Sequence, residues 1–114
     1  MKVEYHLELD DGSGELAFEW DSAKAASNLE KHGIRFEEAV TIFQDDVLTI
    51  EDRAVYGELR EISYGRLRSD GSGNTVVVCV VHTDRSERVR IISARKATAQ
   101  ERKHFDVYHR KTHH

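Results

Sequence analysis

The hydrophobic and polar positions fall into two regimes. Residues 2–9 alternate loosely, Asp10-Asp11-Gly12-Ser13-Gly14 supplies a turn, and Glu15–Trp20 returns, which together predict a β-hairpin. Asp21 then stands where a helix N-cap belongs, and Gly33 where the left-handed C′ residue belongs, so a helix is predicted from Ser22 to about Lys31. Along it Ala25, Ala26 and Leu29 form one stripe and Lys24, Asn28 and Lys31 another. Phe36, Ala39, Val40 and Phe43 recur at i, i+3, i+4 and i+7, the core stripe of a second helix ending at Asp45-Asp46. Its first residue follows Arg35, which is no cap, and Glu37 and Glu38 compensate through the helix dipole.

The second half has the period of strands. Val47–Ile50 is short. Leu59–Arg68 alternates, with Arg60, Ile62, Tyr64, Arg66 and Arg68 on one side and Leu59, Glu61, Ser63, Gly65 and Leu67 on the other. Thr75–Thr83 is nearly all valine, the mark of a central strand buried on both faces. Glu87–Ala94 follows, and Thr98-Ala99-Gln100-Glu101 is a capping box that opens a last helix to about Arg110. The order β-β-α-α-β-β-β-β-α predicts an α+β fold with a mostly antiparallel sheet, the two early helices on one face. The 114 residues are expected to form a single domain, 1–114, with residues 1–16 as an N-terminal extension and 111–114 as a frayed tail, native or the start of a tag.

Charge alters the picture more than composition does. The net charge is −4, but residues 1–52 carry 14 acidic and 4 basic residues, whereas residues 53–114 carry 7 and 13. Either a basic face of the C-terminal half meets something anionic, or the two halves pair with each other. Residues 85–111 concentrate nine Lys and Arg against three acids. Arginine forks match phosphate oxygens, so Arg60, Arg66, Arg88, Arg90, Arg95, Lys96 and Arg102 are candidates for a nucleic-acid backbone, with Tyr64 placed to stack a base. Lys31-His32-Gly33 reads either as a phosphate and proton-transfer site or as an ordinary basic helix C-terminus. The lone Cys79, inside the valine run, is expected to be a buried apolar residue, and its solitude suits a reducing cytoplasm. His82 reads as a satisfied core-edge histidine. No membrane span is expected, and metal chemistry looks weak: His104 and His109 do not share a helix face, and the carboxylates show no cluster along the chain.

Two blocks, Phe18-Glu19-Trp20-Asp21 with Lys24, Asn28, Lys31-His32-Gly33, Phe36 and Glu38-Ala39, and Arg90-Ile91-Ile92-Ser93-Ala94-Arg95-Lys96-Ala97-Thr98 with Glu101-Arg102, occur in one chain with Arg60 and Gly65-Arg66 between them. Together they resemble the BrnT toxins, RelE-like ribonucleases of bacterial toxin–antitoxin pairs. The resemblance implies a RelE-like fold and metal-independent RNA cleavage that stops translation, with no cofactor. It implies a ribbon-helix-helix antitoxin, a heterotetramer, and contact with operator DNA only through the antitoxin. Such cleavage needs a 2′-hydroxyl to attack the neighbouring phosphate, with a base, cations and an acid around it. Lys31 or His32 is assigned the base, Arg66 and Arg95 the charge on phosphorus, and Arg60, Tyr64, Arg90, Lys96 and Arg102 the RNA. Two alternatives stand beside this reading, a non-catalytic antitoxin-binding domain and a topoisomerase-inhibiting toxin. The chain departs from the resemblance in the acidic segment Met1–Leu16, in Arg35, and in the long turn Asp70–Asn74.

Overall fold

A computed structural model describes residues 1–52, 59–67 and 75–112. Arg68, the 70–74 turn, His113 and His114 lie outside the described residues. The elements are β1 (Lys2–Glu8), β2 (Glu15–Asp21), α1 (Ser22–His32), α2 (Phe36–Ala39), β3 (Leu48–Asp52), β4 (Arg60–Leu67), β5 (Val76–Arg85), β6 (Arg88–Lys96) and α3 (Ala99–Thr112). The strands form one sheet in the order β1-β2-β6-β5-β4-β3, antiparallel except for a short parallel pairing of β2 with β6 at Phe18–Val89 and Glu19–Arg90.

Local chemistry explains the boundaries. The Asp21 side chain accepts from Lys24 N–H at 3.0 Å and opens α1, and Gly33 closes it at φ 71° while its N–H bonds Leu29 C=O. The expected helix at 36–45 is shorter and tighter. Only Phe36–Ala39 is α-helical, and Val40–Gln44 winds as a 3-10 turn. Polar ties accompany the tightening: Thr41 Oγ1 donates to Glu38 C=O at 2.6 Å, and Gln44 bridges Glu8 C=O and Asp10 N–H in the hairpin. Gly65 of β4 makes room for the turn, since a Cβ there would lie 2.8 Å from Ile42 Cβ.

The sheet buries apolar residues on both faces. Phe18, Trp20, Ile34, Phe36, Val40, Ile42, Val78, Val80, Ile91 and Ala94 form the main core under α1, α2 and the 3-10 turn. Tyr64, Val77, Cys79 and Phe105 form a smaller one under α3. Alternation along β5 sends Val78 and Val80 one way and Val77 and Cys79 the other, which is why the valine run has no polar face. An irregularity in the β5–β6 register at Val81/His82 lets Ile91 and Ala94, three apart, reach the same core.

Candidate functional site

β6 carries most of the candidate cations, and its neighbours decide what each can do. At its start, Arg90 and Glu19 sit opposite each other in the β2–β6 register, and Arg90 Nη1 donates to Glu19 Oε2 at 2.9 Å. Lys2 Nζ approaches the same carboxylate at 3.5 Å, and Arg88 Nη2 reaches Glu4 Oε2 at 3.2 Å. Burial works against the Glu19 charge, but Arg90 and Lys2 outweigh it and hold the carboxyl below its usual range. The hairpin acids thus neutralise Arg88 and Arg90, and part of the charge gradient is internal pairing.

At the other end of β6, Arg95 lies opposite Cys79, on the face that α3 covers. Its Nη1 and Nη2 donate to Glu101 Oε1 and Oε2 at 2.8 and 3.0 Å, a bidentate pair. The same carboxylate accepts from Thr98 N–H at 2.8 Å, completing the capping box, and from the Tyr64 hydroxyl at 2.7 Å. The Arg95 bonds lead the causes that hold the Glu101 carboxyl far below the ordinary carboxylate range, and Glu101 in turn raises the Arg95 guanidinium above its ordinary value. Burial, with Glu101 second, pushes the Tyr64 phenol up. Tyr64 is 8% exposed in the smaller core, so its ring offers little face to a base while α3 is docked. Arg66, exposed, lies over the Phe105 ring at 5.9 Å and approaches Asp106 at 3.8 Å.

Lys31 and His32 lie apart from these pairs. β2 leaves β6 after Arg90, and Asn28 of α1 takes the vacated edge: its amide donates to Ala94 C=O at 2.9 Å and accepts from Ala94 N–H at 3.0 Å. It also donates to Ile34 C=O, so one buried side chain fastens helix, loop and sheet. Beside this latch a recess of about 200 Å³ is lined by Lys24, Ser27, Asn28, Lys31, His32, Ile92 and Ser93. Among the described residues Lys24, Lys31 and His32 make no ion pair, and all three are exposed, Lys24 in the first turn of α1 and Lys31 and His32 in its last. Of the remaining candidates, Lys96 is exposed where β6 ends, Arg102 is exposed in the first turn of α3, and Arg60 is half-buried opposite Asp52 at the start of β4. The structure therefore gathers Tyr64, Arg66 and Arg95 under α3 and places Lys31 and His32 at the β6 edge. Sequence reasoning missed Lys24, Ser27 and Ser93 as recess walls; the shared Lys24–Asn28–Lys31 stripe was the available signal.

A family model described as the ribonuclease toxin, BrnT, of type II toxin–antitoxin systems matches residues 20–101. The chain belongs to the BrnT family. No curated protein matches the chain. The span matched by the BrnT family starts at Trp20 and ends at Glu101, so it takes in α1, the recess, all of β6 and the Arg95–Glu101 pair, and leaves β1 outside. Membership of a type II system implies an antitoxin as partner. No described helix is long and apolar enough to cross a membrane.

Proposed function

We propose that this BrnT-family chain is a metal-independent endoribonuclease whose cleavage of RNA inhibits translation, on a single RelE-like domain. The observation that carries the site is the recess between α1 and β6. Among the described residues its cations make no ion pair, whereas Arg88, Arg90 and Arg95 each bond an internal carboxylate. A ribose–phosphate link seated against Ile92 and Ser93 would meet Lys24 and Lys31 as phosphate ligands and His32 as a proton acceptor. In the reaction the 2′-oxygen bonds to phosphorus, its proton passes to the base, and the bond to the 5′-oxygen breaks as an acid returns a proton. Lys31 remains the alternative base.

Arg66 and Arg95 are proposed to stabilise charge on phosphorus, and Arg60, Lys96 and Arg102 to track the flanking strand. The bidentate Glu101 pair favours a second reading for Arg95, as a framework residue that docks α3. Arg90 and Tyr64, committed to Glu19 and Glu101, reach RNA only if those bonds open. A ribbon-helix-helix antitoxin, in a cytoplasmic heterotetramer, is proposed as the partner that covers the basic face and binds operator DNA.

The test is cleavage of single-stranded RNA by the full chain in excess EDTA. Cleavage should persist, and His32→Ala or Lys31→Ala should lower its rate by about 10²–10⁴-fold, the range for a lost acid or base. Unchanged cleavage in both variants, or abolition by EDTA, refutes the proposal.

A further inference from the structure

The neighbouring strands β5 and β4 hold a grouping that the nuclease reading does not use. Glu61 of β4 and His82 of β5 are paired in register, and Asp84 follows two residues on, so all three side chains lie on the α2 side of the sheet. One carboxylate oxygen of each acid and one ring nitrogen of His82 lie within 4.8 Å of one another. His82 is 5% exposed, its ring edge-on to Phe43 at 5.5 Å. Its Nε2 is 2.7 Å from Ser63 Oγ, which is 2.8 Å from Thr49 Oγ1. Its Nδ1 is buried and has no hydrogen-bond partner among the described residues.

With Nε2–H donating to Ser63, Nδ1 carries a bare lone pair. Two carboxylates, which only accept when ionised, are its polar neighbours. A buried ring nitrogen without a partner beside two carboxyl groups is a costly arrangement in a protein and a ready one for a cation. The Ser63–Thr49 relay is the outer support that metal-binding histidines regularly have, an oxygen that holds the ring and aims the other nitrogen.

We propose that Glu61, His82 Nδ1 and Asp84 form a site for a divalent first-row transition-metal ion that clamps β4 to β5. One imidazole and two carboxylates suit zinc or manganese, with water filling the open positions. Donors bonded to one ion at ~2.0–2.2 Å lie ~3–4 Å apart, so the set closes by a rotation of about 1 Å. Asp84, exposed, is free to make that movement. The ion would stabilise the sheet and take no part in RNA cleavage, because none of its three donors lines the recess or joins the arginine pairs. The proposal stands independently of the nuclease reading.

Zinc ions alone, titrated into the full chain by calorimetry, provide the test. One ion should bind per chain and raise the thermal midpoint, since only the folded state brings the donors together. Glu61→Gln and Asp84→Asn should each weaken binding at least about tenfold and abolish the thermal shift, consistent with loss of a first ligand. Asp84→Asn, on an exposed side chain, serves even if a change at Glu61 or His82 disturbs folding. Replacement of His104, His109, His113 and His114 by asparagine should leave the binding intact. No binding to the parent chain, equal binding by the Glu61 and Asp84 variants, or loss in the four-histidine variant overturns the site.

Discussion

The two ends of β6 carry the same chemistry and use it differently. Arg90 is neutralised across the sheet by Glu19, 71 residues away in sequence, in the hairpin that precedes most of the family span. Arg95 is neutralised by Glu101, six residues on, inside that span. The first pair ties an added element to the sheet; the second docks the last helix and its cap in one carboxylate. Between them, at Ile92 and Ser93, the strand has lost β2 as its neighbour and meets α1, and there the cations make no ion pair among the described residues. Arginine density therefore locates the strand but not the site. What distinguishes the cations of the proposed site is that they lack an internal carboxylate among the described residues, and that depends on packing.

The contrast can be broken most forcefully at Glu101. Glu101→Ala removes a cap, a bidentate pair and the Tyr64 acceptor together, and should lower stability by about 2–4 kcal/mol. Urea denaturation measures it, and a loss under about 1 kcal/mol would show that α3 docks without this carboxylate. The same group predicts a pH dependence. Its folded pKa lies below the unfolded value of ~4.3, so its contribution is whole above that pH and fades as pH falls through the folded value. The gap between parent and Glu101→Gln should narrow steadily as urea melts are taken from about pH 6 toward pH 2; a constant gap would place the effect in the cap alone.

A smaller effect is expected at the other end. Glu19→Gln leaves Arg90 half-buried beside a neutral amide and should cost about 1–2 kcal/mol, with RNA cleavage unchanged. Lost cleavage at full stability would bring Arg90 back into the site. Least of all, Glu4→Gln cuts the half-exposed Arg88 pair and should change stability by less than about 1 kcal/mol. A larger loss would mean that the hairpin is held by charge and not by packing of Val3, Tyr5 and Leu7 on the core.

The element order was legible because each signal was local: the Asp21 and Thr98 caps, Gly33, the alternation over 59–67, and the all-apolar β5. The 36–44 helix was overread because its period is helical, while the 3-10 winding accompanies Gln44 bonds to the hairpin and contact with Gly65, both remote in sequence. The candidate cations were legible as residue types. Their division into paired and unpaired was not, because Glu19 reaches Arg90 only through the parallel β2–β6 contact. Asn28 stood in a readable stripe, yet its role as a stand-in strand partner required β2 to leave β6 where it does. The Glu61–His82–Asp84 grouping was invisible for the same reason: two strands must align before the donors meet.

The central claim is that RNA seats at the α1 end of β6. It is tested most directly by following the amide signals of the full chain as a non-cleavable RNA, 2′-deoxy at each nucleotide preceding a scissile phosphate, is added. The largest shifts should fall on Lys24, Ser27, Lys31, His32, Ile92 and Ser93. Shifts centred instead on Lys2, Glu4, Glu19, Arg88 and Arg90 would contradict the account.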